Sequence, residues 1–307
     1  MASAWTTPRC AFPPMPFGAR RGRCGWGCRW RRMNRSPSRP LEGMRFALCG
    51  PRRAADLALI LEKQGAVALH RPTVRTILAP PEVLQARLSK LVYQGADWVI
   101  FTSGAGVEEL HRQAEALGLW EAVYARLKQS KLAQRGYKSD RALRQRGLQA
   151  VAWDEDGTVD GLIEALRAHP LAGLQVFVQL YGQPAPRLVR FLKEQGAGVE
   201  ELMPYRHIPA SEAALDRLIL EVLEGELDAL VFTSQPQVDY LLAHAEKTGQ
   251  FCRLQAAFER VWALAIGHIT AIPLQEAGIR CWYPRVERLG ALVTEFARFM
   301  AQRRGPL

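Results

Sequence analysis

An internal duplication constrains this chain more than any other feature: Asp97-Trp-Val-Ile-Phe-Thr-Ser103 recurs as Asp228-Ala-Leu-Val-Phe-Thr-Ser234, 131 residues later. The same offset aligns Gln64-Gly65 with Gln195-Gly196, Val107 with Val238, Ala114-Glu115 with Ala245-Glu246, and Gly118 with Gly249. It continues through Gly136 and Gly267, Leu143 and Leu274, and Gly147 and Gly278. Chance does not hold register over that length, so the sequence predicts two copies of one structural unit. One copy starts near Met44 and the other near Gln175.

From Met44 onward, short β-rich runs alternate with helical patterns, the signature of parallel α/β units. Leu48-Cys49-Gly50 ends a first strand, and Ala54 to Gln64 reads as a helix closed by Gly65. Further strands are expected at Trp98–Thr102, Lys131–Gln134, Gln149–Trp153, Gln175–Leu180, Val199–Met203, Leu227–Thr233, Val261–Ile266 and Ile279–Tyr283. Two proline-bearing segments, 70–81 and 203–209, interrupt the pattern at equivalent points of the two copies, and proline holds such stretches extended. As the two strands of a hinge, they make each domain borrow its first βαβ piece from the other copy. The expected architecture is two doubly wound parallel-sheet domains, residues 44–72 plus 208–307 and residues 73–207, joined by a two-stranded hinge.

With 307 residues, 48% of them hydrophobic, the chain can bury a full core. It has no apolar run of the roughly 18 residues that a membrane span needs, so no membrane association is expected. The formal charge of +11 is unevenly spread, because residues 1–43 hold nine Arg and a single acid, Glu42. The remainder carries only +3, which points away from a nucleic-acid face. That basic segment, rich in Arg, Pro, Gly and Trp and without period, is expected to be disordered. Met44 stands directly before the first strand, and translation is expected to begin there or at Met33. Cys49, Cys252 and Cys281, widely spaced in the body, read as reduced thiols of a cytoplasmic protein; Cys10, Cys24 and Cys28 fall in the basic segment.

In an open parallel sheet, ligands bind beyond the carboxyl ends of the strands, where loops lead into helix N-termini. Thr102-Ser103 and Thr233-Ser234 fall there, as do Gly136-Tyr-Lys-Ser139 and Gly267-His-Ile-Thr270, with Gly50 and Gly182 as a third pair. Each hydroxyl, taken singly, is explained by helix capping. Six helix N-termini facing one another across a hinge instead make a cleft lined with backbone donors, suited to a large ligand bearing many carboxylates. Lys138, inside its glycine turn, is placed to meet one of them. The chain lacks Walker A, Gly-x-Gly-x-x-Gly, His-Glu-x-x-His and Gly-x-Ser-x-Gly patterns. Its six scattered histidines predict surface or half-buried side chains and no metal site. Glu108-Glu109 suits a helix macrodipole better than acid catalysis, and the charge run Lys128–Arg146 reads as a solvated helix face.

Residues 44–307 resemble the uroporphyrinogen-III synthase family. The matching pieces are Ile-Phe-Thr-Ser-Gly-Ala-Gly-Val (100–107), Leu-Tyr-Gly-Gln-Pro (180–184), Pro-Tyr-Arg (204–206), Val-Phe-Thr-Ser-Gln-Pro-Gln-Val (231–238) and Ala-Ile-Gly-His-Ile-Thr-Ala (265–271). None is specific alone; their order, spacing and duplication are. The resemblance implies a monomeric enzyme with no metal or cofactor that closes hydroxymethylbilane, a linear tetrapyrrole with eight carboxylates, while inverting ring D. Loss of the ring-A hydroxyl as water gives an azafulvene cation, which ring D attacks through its substituted α-carbon; the resulting spiro intermediate rearranges and closes. The resemblance further implies Tyr205 as proton donor to the leaving hydroxyl. Thr270, with Ser139 at the equivalent turn, then lies at the cleft, and Thr102, Ser103, Thr233 and Ser234 bind carboxylates, with Gly136, Lys138, Gly182, Gln183 and Gly267 lining the substrate site. Departures are Cys-Gly-Pro-Arg-Arg (49–53), where many members carry Arg-Pro, and His268 in place of a family proline. Arg-Gly-Tyr-Lys (135–138) and Pro-Tyr-Arg-His-Ile-Pro (204–209) look like a branch sometimes fused to DNA-binding regulators, so a non-catalytic tetrapyrrole- or anion-sensing module is the alternative. The few residues after Arg303 leave no room for such a partner domain, which favours the enzyme. An exported solute-binding protein is a third class, but no signal with an apolar core is visible.

Overall fold

A computed structural model describes residues 39–51 and 53–303. The chain runs β1 (Arg45–Leu48), α1 (Ala54–Lys63), β2 (Val67–His70), β3 (Val74–Leu78), α2 (Pro81–Gln94), β4 (Trp98–Phe101), α3 (Gly104–Ala116), α4 (Trp120–Gln129), β5 (Lys131–Gln134), α5 (Gly136–Arg144), β6 (Ala152–Trp153) and α6 (Val159–Arg167). The second half follows with β7 (Gln175–Gln179), α7 (Pro186–Glu194), β8 (Gly198–Leu202), β9 (Tyr205–Pro209), α8 (Glu212–Leu223), β10 (Ala229–Phe232), α9 (Gln235–Lys247), α10 (Phe251–Ala257), β11 (Trp262–Ala265), α11 (His268–Glu276), β12 (Cys281–Trp282) and α12 (Leu289–Arg303).

The strands form two parallel five-stranded sheets, β12-β11-β10-β1-β2 and β6-β5-β4-β7-β8, with β3 and β9 paired between them. Both sheets have the same order once the duplication is applied, and each takes two strands from one copy and three from the other. The β3–β9 pair is antiparallel and centred on Thr76 opposite His207. These two residues occupy equivalent positions of the two copies, so the local two-fold axis of the duplication runs through the middle of the hinge.

Local sequence explains the layering. The central strands β4 (Trp-Val-Ile-Phe) and β10 (Ala-Leu-Val-Phe) are apolar at every position and buried at every position, as expected where helices cover both faces of a parallel sheet. Each sheet accordingly has two cores. Val99 and Phe101 pack under α2, α3 and α4, whereas Trp98 and Ile100 pack on the opposite face under α6 and α7. Leu230 and Phe232 pack under α8 and α9, and Ala229 and Val231 under α1 and α12. Burying a large side chain of this kind contributes about 1.5–3 kcal/mol.

Several expectations are corrected. The ordered chain extends ahead of Met44: Leu41 is fully buried, with its N–H donating to the Gln64 carbonyl at 3.1 Å; the rest of the basic segment and its three cysteines lie outside the described residues. Strand β2 adds to the expected set: the short apolar run 66–69 follows the helix-closing Gly65 directly and forms an edge strand exposed at both ends. The sheet-edge strands expected at 149–153 and 279–283 shrink to two residues each. The Lys128–Arg146 charge run is not one helix face, since it contains β5, whose Leu132, Ala133 and Gln134 are buried. Reduced thiols hold at Cys49 and Cys281 but not at Cys252, which is disulfide-bonded. His244 is buried, with Nε2 at 2.7 Å from Asp216 Oδ1. Among the described residues no His/Cys/Asp/Glu cluster is arranged for a metal, and no helix is long and apolar enough to cross a membrane.

Candidate active site

The turn after β4 carries Thr102 and Ser103, which do different jobs. Thr102 is buried, and its hydroxyl donates to the Gln179 carbonyl at 2.7 Å, tying β4 to β7. Ser103 is the N-cap of α3: its backbone is extended and its Oγ accepts from the Gly106 N–H at 3.1 Å. The same oxygen lies 3.1 Å from the Tyr205 hydroxyl. Tyr205 opens β9 on the hinge and is 1% exposed. Its ring is held from the other side by Gly182, whose φ is +85° and where a β-carbon would sit 2.5 Å from Tyr205 Cε2 and 2.8 Å from His207 Cδ2. Only glycine combines that backbone with that approach.

At the end of β5, the Gly136 N–H donates to Asp154 Oδ1 at 2.6 Å. Ser139 is buried, and its hydroxyl donates to the Arg135 carbonyl at 2.7 Å, so it neither caps α5 nor faces a ligand freely. Lys138 stands at this turn with its ammonium partly shielded, and that loss of hydration lowers it below the usual range, opposed by Glu287. Arg135, the N-cap of α5, is half-buried. Its Nε donates to the Thr102 carbonyl at 3.0 Å, and its guanidinium lies 4.5 Å over the Tyr181 ring. Burial lowers its pKa, opposed by Tyr181, Asp154 and Tyr205.

On the facing wall, Gln237 closes the turn after β10. Its Oε1 accepts the Thr233 N–H at 2.7 Å and its Nε2 donates to Thr233 Oγ1 at 3.0 Å. Ser234 is the N-cap of α9 without a side-chain cap bond. At α11, Gly267 admits the Glu287 carboxylate, since a β-carbon there would lie 2.0 Å from Glu287 Cδ, and the His268 N–H donates to Glu287 Oε1 at 2.9 Å. Thr270 is buried in the first turn of that helix. Gln183 reaches across to the Tyr240 hydroxyl at 3.5 Å, which itself donates to the His207 carbonyl at 2.8 Å.

The two walls meet at one rim. The Tyr137 hydroxyl, on α5, donates to the Glu287 carbonyl at 2.5 Å, and a β-carbon on Gly157 would touch Ile269 Cγ1 at 3.6 Å. The strand-end turns of both sheets therefore face one another, Glu287 occupying the N-terminus of α11. A surface hollow of about 550 Å³ runs along α7, lined by Pro184, Val189, Arg190 and Glu201 among others.

The frame is duplicated but its chemistry is not. Tyr205, Gly182, Arg135 and Gln179 correspond to Val74, Pro51, Ile266 and Leu48 in the other copy. Sequence reasoning missed Arg135, Asp154, Gln179 and Glu287; comparing the two copies position by position, rather than seeking only their agreements, singles out Arg135 and Gln179.

Two doubly wound α/β domains on a hinge, with strand-end turns facing one another and a buried phenol where hinge meets turn, define a two-domain cleft protein for a small molecule. The family model described as uroporphyrinogen-III synthase HemD matches residues 55–294. A crystal structure of a mutant uroporphyrinogen III synthase from the extremely thermophilic bacterium Thermus thermophilus superposes with a TM-score of 0.71 at 34% identity, covering 85% of this chain and 100% of that one. The wild-type enzyme in another crystal form gives 0.60, also at 34% identity, covering 86% and 100%. Among sequence relatives, the uncharacterized protein YjjA of Bacillus subtilis is 40% identical over 265 residues, 86% of this chain and 98% of the relative. A putative uroporphyrinogen-III synthase of Methanothermobacter thermautotrophicus is 29% identical over 255 residues, 82% of this chain and 96% of its own. The chain belongs to the uroporphyrinogen-III synthase family.

Proposed function

We propose that the chain converts hydroxymethylbilane to uroporphyrinogen III, closing the macrocycle with inversion of ring D, as a monomeric cytoplasmic enzyme needing no metal or cofactor. The observation that carries this is the Tyr205 hydroxyl, held 3.1 Å from Ser103 Oγ on the hinge where the two walls converge. Breaking the ring-A C–O bond sends the electron pair to oxygen. Tyr205 supplies the proton that lets it depart as water, leaving the azafulvene cation for ring D to attack. The rest is positioning: helix N-termini at α3, α5, α9 and α11 and the Lys138 ammonium hold carboxylates, so that the folded chain brings ring D to the cation. Ser103 orients the phenol, Gly182 fixes its ring, Gln183 and Ser234 line the facing edges, and Thr102, Ser139, Thr233, Gly136, Gly267 and Thr270 shape the turns. Substrate entry requires the Tyr137–Glu287 rim contact to open, with β3 and β9 as the pivot.

Purified protein fed hydroxymethylbilane is expected to yield the type III isomer, resolved from type I by chromatography. Type I alone, at the rate of the uncatalysed closure, refutes the assignment and leaves the sensing module.

A further inference from the structure

Arg135 stands out in the cleft because the architecture does not require it. The equivalent position at the end of β11 is Ile266, so an apolar residue serves the same strand-to-helix turn in the same fold. Its cation also has no carboxylate partner: among the described residues none lies within ion-pair distance of it, whereas Arg71, Arg87, Arg112, Arg144 and Arg187 are each paired. Asp154, the nearby acid, is engaged by the backbone N–H groups of Gly136 and Gly157.

What Arg135 touches locates its charge. Its Nε is bound to the carbonyl of Thr102, and its guanidinium plane covers the Tyr181 ring. Thr102 precedes Ser103, which contacts the Tyr205 hydroxyl. Tyr181 precedes Gly182, which packs on the Tyr205 ring. The guanidinium is therefore braced on both chain segments that hold the phenol.

We infer that Arg135 is a positioning residue for the first chemical step: its fixed positive charge stabilises the Tyr205 phenolate left when the phenol proton passes to the departing hydroxyl. The C–O bond breaks, the phenol O–H bond breaks, water forms, and the paired products are the azafulvene cation and a phenolate beside Arg135. The proton returns from the macrocycle as ring closure restores aromaticity. An adjacent unit charge of this kind lowers the free energy of the anionic phenol enough to change its acidity by about one to three pH units, and part of that reaches the rate. This inference rests on the assignment of Tyr205 as the proton donor.

The test is a double-mutant cycle on the full chain with hydroxymethylbilane, measuring kcat and KM for Arg135→Gln, Arg135→Lys, Tyr205→Phe and the Arg135→Gln/Tyr205→Phe pair. Arg135→Gln is expected to lower kcat about tenfold with KM changed less than about twofold, Arg135→Lys to recover most of that loss, and Arg135→Gln to add less than about twofold once Tyr205 is Phe. Thermal melts confirm that each variant is folded. A rise in KM with kcat intact overturns the inference by making Arg135 a receptor for a substrate carboxylate. The same tenfold loss in the Phe background also overturns it, while leaving Tyr205 as donor. Full kcat in Tyr205→Phe alone removes the donor assignment itself, and the inference with it.

Discussion

Gly182→Ala tests whether the Tyr205 ring is held by backbone contact. A left-handed φ of +85° costs a non-glycine residue about 1–2 kcal/mol. The new methyl would also start 2.5 Å from one Tyr205 ring carbon and 2.8 Å from His207, and neither can retreat easily. Tyr205 is 1% exposed and touches Ser103, and the Tyr205 and His207 rings lie 5.0 Å apart, tilted at 59°. Overpacking of that severity adds about 1–3 kcal/mol, for a total loss near 2–5 kcal/mol in urea unfolding. Gly225→Ala is the control: φ is +73°, with nothing within 4 Å of the added carbon, so it should lose only the backbone cost of about 1–2 kcal/mol. Because the methyl displaces the phenol from Ser103, Gly182→Ala should also lower kcat at least about tenfold, and Gly225→Ala should leave it unchanged. Equal stability losses in the two variants, or full activity in Gly182→Ala, would show that the close packing on Tyr205 plays no part.

Tyr205→Phe should reduce turnover by about tenfold or more if its proton serves the departing hydroxyl, with stability altered little; an unchanged rate assigns Tyr205 to hinge packing. Glu287 holds its carboxylate at the N-terminus of α11, the place the proposed function gives to a substrate carboxylate. Replacing it by Gln weakens an interaction with the helix end of about 0.3–1 kcal/mol, so KM should fall about two- to fivefold; a rise in KM contradicts this. Asp239 is partly buried, and loss of hydration pushes its carboxyl up to about 6. A folded-state pKa above the unfolded one makes stability greatest below about pH 4 and lets it decline as pH rises through about 6. Asp239→Asn should flatten that decline and raise stability at pH 7 by about 2 kcal/mol, after allowing for its contact with solvent; unfolding curves at pH 4 and pH 7 that respond identically in both proteins refute it.

The frame was legible because its determinants are local and repeated. Trp98–Phe101 and Ala229–Phe232 announce buried central strands by continuous apolar sequence, and the two proline-bearing segments mark where β3 and β9 pair. The edges were less legible, since β2, β6 and β12 are short and partly exposed and leave little periodicity. At the site, sequence located the turns but misjudged individual hydroxyls. Ser103 caps α3 as expected, whereas Thr102 and Ser139 turn to backbone carbonyls and Gln237 takes over at Thr233. Which of several competing partners a short polar side chain selects depends on strands brought together from distant sequence. Arg135 was hidden within a charge run, and only its position between Thr102 and Tyr181 separates it from the surface arginines around it. Glu287, far along the chain, reaches α11 only through the fold.

The most direct test of the central claim is the isomer formed from hydroxymethylbilane by the purified wild-type chain. A predominance of uroporphyrinogen III, formed well above the uncatalysed rate, is the predicted result. Uroporphyrinogen I alone, at the uncatalysed rate, would contradict it.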